Sequence, residues 1–266
     1  MLGLGNTLSN SGRMPTPFYF NNYSLDFDGT DDYINLSSPT ALDDIYDGGG
    51  TFSAWVYPTA TTSYNTIYDK AYHGDRHNTL YLQEYYLGYY RLSFERQWST
   101  SNAYWRGTNS SYIVPINAWS HIVLTYDDST YSNSPAFYVN GESTSFTKYN
   151  TPESGETAVS DASYDLRIGF SNNETQPFTG NIDEVAIWSV VLDADNVLAI
   201  YNSGSPIDLT EASGNYDNED NLIGWWRMGD GTEAGEGSTI YDMSNNSNNG
   251  TQSTLSKTPQ YSTEAP

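Results

Sequence analysis

From Ser24 to Trp188 apolar residues recur at alternate positions in short runs, and clusters of Gly, Asn, Asp and Pro end each run. A period of two is the spacing of a half-buried β-strand, and strands this short and frequent predict an all-β, two-sheet antiparallel sandwich or jelly roll. Leu25/Phe27 and Ile34/Leu36 share a face on either side of the turn Asp28-Gly-Thr-Asp-Asp32. Phe52-Ser-Ala-Trp-Val-Tyr57 is a strand ended by Pro58. Residues 79–84 and 89–97 read as a hairpin about Leu87-Gly88, with Leu80 and Leu82 facing Leu92 and Phe94. Trp119 to Tyr126 is a mostly apolar strand, and Ala136-Phe-Tyr-Val139 runs into Asn140-Gly141, the strongest two-residue hairpin signal in the chain. Leu166/Ile168/Phe170 and Ile182 to Trp188 complete the long strands. One helix is expected: Asp193 can cap it, Val197, Ile200 and Tyr201 share a face, and Gly204 sits where a left-handed residue is wanted. One short helix cannot cover a sheet, so the two sheets must cover each other.

The chain has 266 residues, enough to bury a sizeable core. Lys plus Arg number 10 against 33 Asp plus Glu, a formal charge of -23, which opposes binding to phosphate backbones and anionic lipid. Nucleic acid is therefore not an expected partner. There is no cysteine, so no disulfide framework, thiolate metal site or cysteine nucleophile. The first ten residues lack the basic and apolar regions of a signal peptide, and no run is long and apolar enough to span a membrane, so no membrane insertion is expected. Residues 1–22, with Gly, Ser, Asn and two prolines, read as an N-terminal arm that orders by docking or simply frays. Residues 23–204 are the sandwich, and 205–266 are a polar linker (205–220) followed by the strong strand Leu222-Ile-Gly-Trp-Trp-Arg-Met228 and a Ser/Asn/Gly-rich tail.

The blocks Leu25-Asp-Phe-Asp-Gly-Thr-Asp-Asp-Tyr-Ile34, Phe52-Ser-Ala-Trp-Val56, Trp119 to Tyr126, Phe137-Tyr-Val-Asn-Gly-Glu142, Leu166-Arg-Ile-Gly169 and Phe178 to Trp188 follow in an order that resembles the laminin-G-like, concanavalin A-like jelly-roll family. The resemblance implies a two-sheet jelly roll and, in many members, calcium and carbohydrate or protein ligands. One departure stands out. The block from Leu222 to Gly231, with Ile240 to Thr251, resembles the stretch that usually precedes the first block, yet lies at the C-terminus. It is expected to fill the first-strand slot of the same sandwich in permuted order. The alternative, the front of a second domain, would leave Trp225 and Trp226 without a facing sheet.

Asp28, Asp31 and Asp32 with Asp183 and Glu184 are the candidate calcium ligands, since an Asp-rich turn near an acidic strand offers hard oxygen donors. The plain alternative is a turn whose Asp side chains bond their own backbone. Related sandwich glycosidases place two carboxylates on one face at alternate strand positions. Asp183 and Glu184 are adjacent, which sends them to opposite faces, and no Glu-x-Asp-x-Glu occurs; no catalytic residue is assigned. His73 and His77 read as a solvated loop and His121 as a structural strand residue. Among the aromatics, Tyr86 and Tyr89 at a hairpin tip, with Trp98 and Trp105, are candidates for stacking on sugar rings or for a protein interface. The alternative is that they finish the sandwich edges.

These readings favour a non-enzymatic structural or binding module. The Gly-Leu-Gly-Asn start followed closely by the Leu-Asp-Phe-Asp-Gly block resembles small structural proteins of marine bacteriophages. The resemblance implies a virion surface protein (capsid decoration, fibre or tail-associated), multimeric in its assembly and docked to other virion proteins through the N-terminal arm. The second reading is a free, extracellular lectin-like adhesin for cell-surface glycans, and the third a glycan-active enzyme.

Overall fold

The computed structural model describes residues 21–71, 78–108, 110–111, 113–173, 175–232, 235–253 and 260–266. Its strands up to the first long hairpin are β1 (Ser24–Asp28), β2 (Ile34–Asn35), β3 (Gly50–Pro58), β4 (Tyr64–Asp69), β5 (Asn78–Tyr86) and β6 (Tyr89–Gln97). The middle of the chain gives β7 (Asn102–Gly107), β8 (Val114–Pro115), β9 (Ser120–Tyr126), β10 (Ala136–Val139), β11 (Glu142–Thr144) and β12 (Phe146–Asn150). Then come β13 (Arg167–Ile168), β14 (Thr179–Trp188), helix α1 (Ala194–Tyr201), β15 (Leu222–Trp226), β16 (Thr239–Ile240), β17 (Gly250–Gln252) and β18 (Gln260–Ser262).

They form two antiparallel sheets, a jelly-roll sandwich. The first runs β11-β10-β9-β3-β14-β1-β18, with β15 also on β14. The second runs β12-β7-β6-β5-β4-β13-β2-β17-β16, with β8 on β6. Alternation sends Leu25, Phe52, Val56, Leu124 and Ile182 of the first sheet inward against Ile34, Leu80, Leu82, Leu92 and Phe94 of the second. Each such side chain contributes roughly 2 kcal/mol on leaving water. Leu80 stands opposite Phe94 and Leu82 opposite Leu92, so the two pairs face each other as the hairpin pattern predicts, in a register set by a shift between Gln83 and Tyr86. At the Asn140-Gly141 turn both residues take left-handed φ (53° and 79°), which needs residues that tolerate that region, and Val139 pairs directly with Glu142.

The C-terminal block belongs to these same two sheets. Trp226 stands opposite Val185, Thr251 opposite Asn35, and Tyr261 opposite Leu25. Trp226 is wholly buried in the inter-sheet core.

The helix begins where Asp193 accepts a bond from the Asn196 amide at 2.9 Å. At its end the positive-φ turn opens earlier than expected, at Asn202 (φ 44°), and runs on to Gly204, which has the positive φ (98°) expected of it. The stretch 205–220, expected to be a polar linker, instead packs on the first sheet. Leu209 and Tyr216 join Val197 and Ile200 of α1 over Val123, Ala186 and Trp188, making a second core on that sheet's outer face. Tyr216 is fixed there by a bond from Trp188 Nε1 (3.0 Å) and one of its own to the Leu209 carbonyl (2.8 Å).

Candidate functional site

The outer face of the second sheet follows from strand alternation. Along β6, Tyr90, Leu92 and Phe94 point into the core, so Tyr89, Arg91, Ser93 and Glu95 point out. On neighbouring strands Tyr81, Gln83, Tyr104 and Arg106 share that side through their pairings. Tyr86 stands opposite Tyr89 at the hairpin tip, and the two are 58% and 43% exposed. Tyr89 to Glu95 spans roughly 20 Å of strand.

This face is held by its own polar network. Tyr81 donates to Glu95 Oε1 at 2.6 Å, and Ser93 to Gln83 Oε1 at 2.8 Å, an oxygen that also accepts from the Tyr104 hydroxyl. Burial raises the Tyr104 pKa, so its hydroxyl keeps its proton. Its ring stacks on Tyr149 from the edge strand β12, with centroids 5.3 Å apart and planes at 30°. The Arg106 guanidinium lies 4.5 Å from the Tyr149 ring centroid and donates to its hydroxyl. Tyr149 remains 49% exposed, so the stack ends in an open ring. Hydroxyl, amide, carboxylate and guanidinium groups thus surround a rigid aromatic ledge.

Two of the four aromatic candidates are not on this face. Trp98 and Trp105 are 1% and 0% exposed in the inter-sheet core. In β7 the strand parity turns Tyr104 outward and its neighbour Trp105 inward, onto Phe94 and Tyr126. Sequence reasoning named Trp105 as a candidate ring, and the strand instead presents its neighbour Tyr104. It also missed Tyr149, whose strand has too little apolar alternation to declare its face.

The acidic candidates divide into two groups. Asp28, Asp31 and Asp32 gather in the β1–β2 turn, with carboxylate oxygens within 4.8 Å of one another. Asp28 also accepts from the Thr30 amide (2.8 Å) and Asp32 from the Asp28 amide (2.9 Å), the self-bonding of an Asp-rich turn. Asp31 Oδ1 is buried without a hydrogen-bond partner among the described residues. Asp183 and Glu184 do not join them, because Asp28 stands opposite Thr179, at the other end of the β1–β14 ladder from Asp183.

Nor do Asp183 and Glu184 point to opposite faces. A bulge between Asp183 and Ala186 inserts an extra residue, with Glu184 at φ 48°. Ile182 and Val185 both face the inter-sheet core, while Glu184 lines a small outer-face cavity with Ser53, Trp55 and His121. Glu184 accepts from Trp225 Nε1 (2.7 Å) and Arg227 Nε (3.2 Å), and Asp183 from the Asn21 amide (3.0 Å). Burial, reinforced by the adjacent Glu184 charge, drives the Asp183 pKa well up. His121 bonds Ser53 Oγ at 2.7 Å, and burial pushes its pKa down to about 3, so the ring is neutral. His73 and His77, and residues 1–20 of the arm, lie outside the described residues.

A two-sheet antiparallel sandwich of this topology is a jelly roll. The model of a laminin-G-type family, described as the concanavalin A-like lectin/glucanases superfamily, matches residues 28–198, and the chain belongs to that family. Among curated proteins none matches by sequence. Similar solved structures include a candidate carbohydrate-binding protein from Bacteroides ovatus (22% identity, TM-score 0.59), of whose length the chain spans 62% with 91% of its own. A native heptameric SAP-like pentraxin from Limulus polyphemus is 14% identical with TM-score 0.52, covering 68% of this chain and 82% of that one. The CBM40 of the Ruminococcus gnavus IT-sialidase, bound to α2,3 sialyllactose, is 16% identical with TM-score 0.51, covering 67% and 95%. At such identities the likeness is one of fold.

Proposed function

We propose that this protein is a non-enzymatic carbohydrate-binding module that lays an oligosaccharide along the outer face of its second sheet. The observation that carries the reading is the Tyr104–Tyr149 stack braced by Arg106. An open aromatic ring receives the apolar face of a sugar, and the half-buried Glu95 and Arg106 beside it match hydroxyl groups, while Gln83 and Tyr81 are buried and brace them. The absence of catalysis rests on the Asp183–Glu184 pair, which is buried beneath Asn21, Trp225 and Arg227 rather than set in an open groove. Such a binding face works equally on a virion surface and free in the extracellular space. Calcium, in this reading, sits in the β1–β2 turn on Asp28, Asp31 and Asp32, where it shapes the loop and not the sugar-binding face.

The test is a glycan array followed by titration of the best ligand against Tyr149→Ala and Tyr104→Ala. Each is expected to weaken binding at least about tenfold with melting temperature nearly unchanged for Tyr149→Ala, an edge-strand residue. Unchanged affinity in both variants would remove the face from the argument, and turnover of any bound polysaccharide would refute the non-enzymatic assignment. For calcium, a melting temperature that rises with the ion in the wild type and not in Asp31→Asn supports the site; no response in either refutes it.

A further inference from the structure

The outer face of the second sheet continues past the Tyr104–Tyr149 stack. One step of strand alternation from Tyr104, roughly 7 Å toward the β6–β7 turn, Asn102 stands opposite Gln97, on the side that Glu95 and Tyr104 share. A depression of about 460 Å³ lies there, lined by Gln97, Trp98, Thr100, Ser101, Asn102 and Asn150. Asn150 follows Tyr149 in β12 and stands opposite Tyr104, so the depression and the stack are continuous. The turn is braced: the Trp98 amide donates to the Ser101 carbonyl at 2.7 Å, and Glu156 accepts from the Thr100 amide at 3.2 Å and the Ser101 hydroxyl at 2.9 Å.

Two atoms of the lining residues are left open. Gln97 Oε1 and Trp98 Nε1 are buried without a hydrogen-bond partner among the described residues, and Trp98 is only 1% exposed. Buried polar atoms are rarely left unpaired without a reason. One is an acceptor and the other a donor. Among the described residues the lining carries no charged side chain, so an ammonium finds no carboxylate in the wall and a carboxylate or sulfate finds no cation. An anion also has no proton to give Gln97 Oε1. A hydroxyl both donates and accepts, and Asn102, Asn150, Thr100 and Ser101 offer it further partners of both kinds.

We propose that this depression is a second subsite of the sugar-binding face, taking an uncharged sugar residue next to the one that rests on Tyr149, with a hydroxyl donating to Gln97 Oε1. The ligand is then a neutral oligosaccharide, selected by hydrogen bonding and not by charge. That a sugar occupies the face rests on the glycan-binding reading above; that the neighbouring residue is neutral and hydroxyl-bearing rests on the lining itself.

Calorimetric titration of the full chain with cellotriose, maltotriose and triacetylchitotriose, with sialyllactose as the anionic control, tests it. At least one neutral trisaccharide is expected to bind, and more tightly than sialyllactose. Gln97→Met, which keeps the length of the side chain and removes the open acceptor, and the exposed substitution Asn102→Ala are each expected to weaken that binding about threefold to tenfold. The melting temperature of Gln97→Met should not fall, since the oxygen it removes has no partner among the described residues. Unchanged affinity in either variant, a lower melting temperature for Gln97→Met, or sialyllactose binding as tightly as the neutral probes overturns the subsite. The two readings fail separately: affinity unchanged in Tyr149→Ala removes the sheet face, whereas affinity lost in Tyr149→Ala but retained in Gln97→Met and Asn102→Ala removes only the depression. No binding of any neutral probe removes both.

Discussion

Asp161 ties together two cations at one end of the sandwich, and replacing it with Asn is the most informative single change to the fold. Its carboxylate is wholly buried and accepts bonds from Asn78 Nδ2 (3.0 Å) and the Asp44 amide (2.9 Å) while facing Lys70 and Arg96. Removing one member of a buried pair costs about 3–5 kcal/mol, because the partner stays charged and dry. Here Lys70 retains Asp43 and Arg96 retains Asp128, and an Asn side chain can keep one acceptor bond, so the lower end, about 3 kcal/mol, is expected. In a domain of this size that lowers the melting temperature by roughly 6–12 °C. The comparison is Asp43→Asn, whose carboxylate is partly solvated and which should cost about 1 kcal/mol. Calorimetry with and without about 0.5 M sodium chloride is the assay, since a buried network is screened little. A further variant, Lys70→Met added to Asp161→Asn, should be less destabilised than the two single losses summed. A shift below about 2 °C for Asp161→Asn, or one that vanishes in salt, would show that water reaches the network and would refute the reasoning.

Other perturbations have defined signs. His121 is held at a pKa of about 3 in the fold against an ordinary 6.5, so the unfolded chain takes up the proton first as pH falls. Stability is intact above about pH 6.5 and is lost at about 1.4 kcal/mol per unit toward pH 3, and His121→Gln should flatten that slope in melts from pH 7 to 4. Asp183 has the opposite sign: its raised pKa penalises the folded state as pH rises above the carboxylate range. Asp183→Asn should therefore melt higher near pH 8 but not near pH 4, with Asn21 turning its amide to offer Oδ1, which now lacks a partner among the described residues. Leu87 is 77% exposed and left-handed at φ 49°, a conformation Asn adopts more readily, so Leu87→Asn should stabilise the hairpin by about 0.5–1 kcal/mol in denaturant titrations. On a glycan array, neutral and amine-bearing glycans should outrank sialylated or sulfated ones, with the gap narrowing in salt; a preference for anionic glycans would contradict the charge argument.

Period-two alternation made the long strands legible because each has one dry face. It put Leu80 and Leu82 on the same face as Leu92 and Phe94, while local turn and cap chemistry gave the Asn140-Gly141 turn and the Asp193 cap. Alternation failed where a residue outside the pattern decides the face. The bulge at Glu184 is invisible in a string of residues, and it puts two neighbouring acids on one side of the sheet. Tyr104 and Trp105 show the other limit: both suit either face, and the inter-sheet volume, known only once the strands are paired, takes the larger ring. The second core over β14 escaped because Leu209 and Tyr216 are isolated apolar residues in polar sequence, without periodicity. The network of Lys70, Arg96 and Asp161 brings together residues from three distant segments and has no local signature at all.

The disposition of positive charge links the fold to the ligands it can hold. Seven of the ten cations are described, and none is spent as a solvated surface charge. Lys70, Arg91 and Arg96 are buried, Arg227 bonds Glu184, and Arg106, Lys148 and Arg167 lie over the rings of Tyr149, Trp105 and Tyr33. The remaining three, Arg13, Arg76 and Lys257, fall outside the described residues. Among the described residues positive charge thus holds strands and aromatic rings in place, while carboxylates populate the β1–β2 turn. A surface of that kind cannot gather anions by long-range attraction. Recognition must instead come from contact, through rings that shed water from a sugar face and through acceptors that take hydroxyl and ammonium protons. The face carrying the Tyr104–Tyr149 stack is made of those two kinds of group.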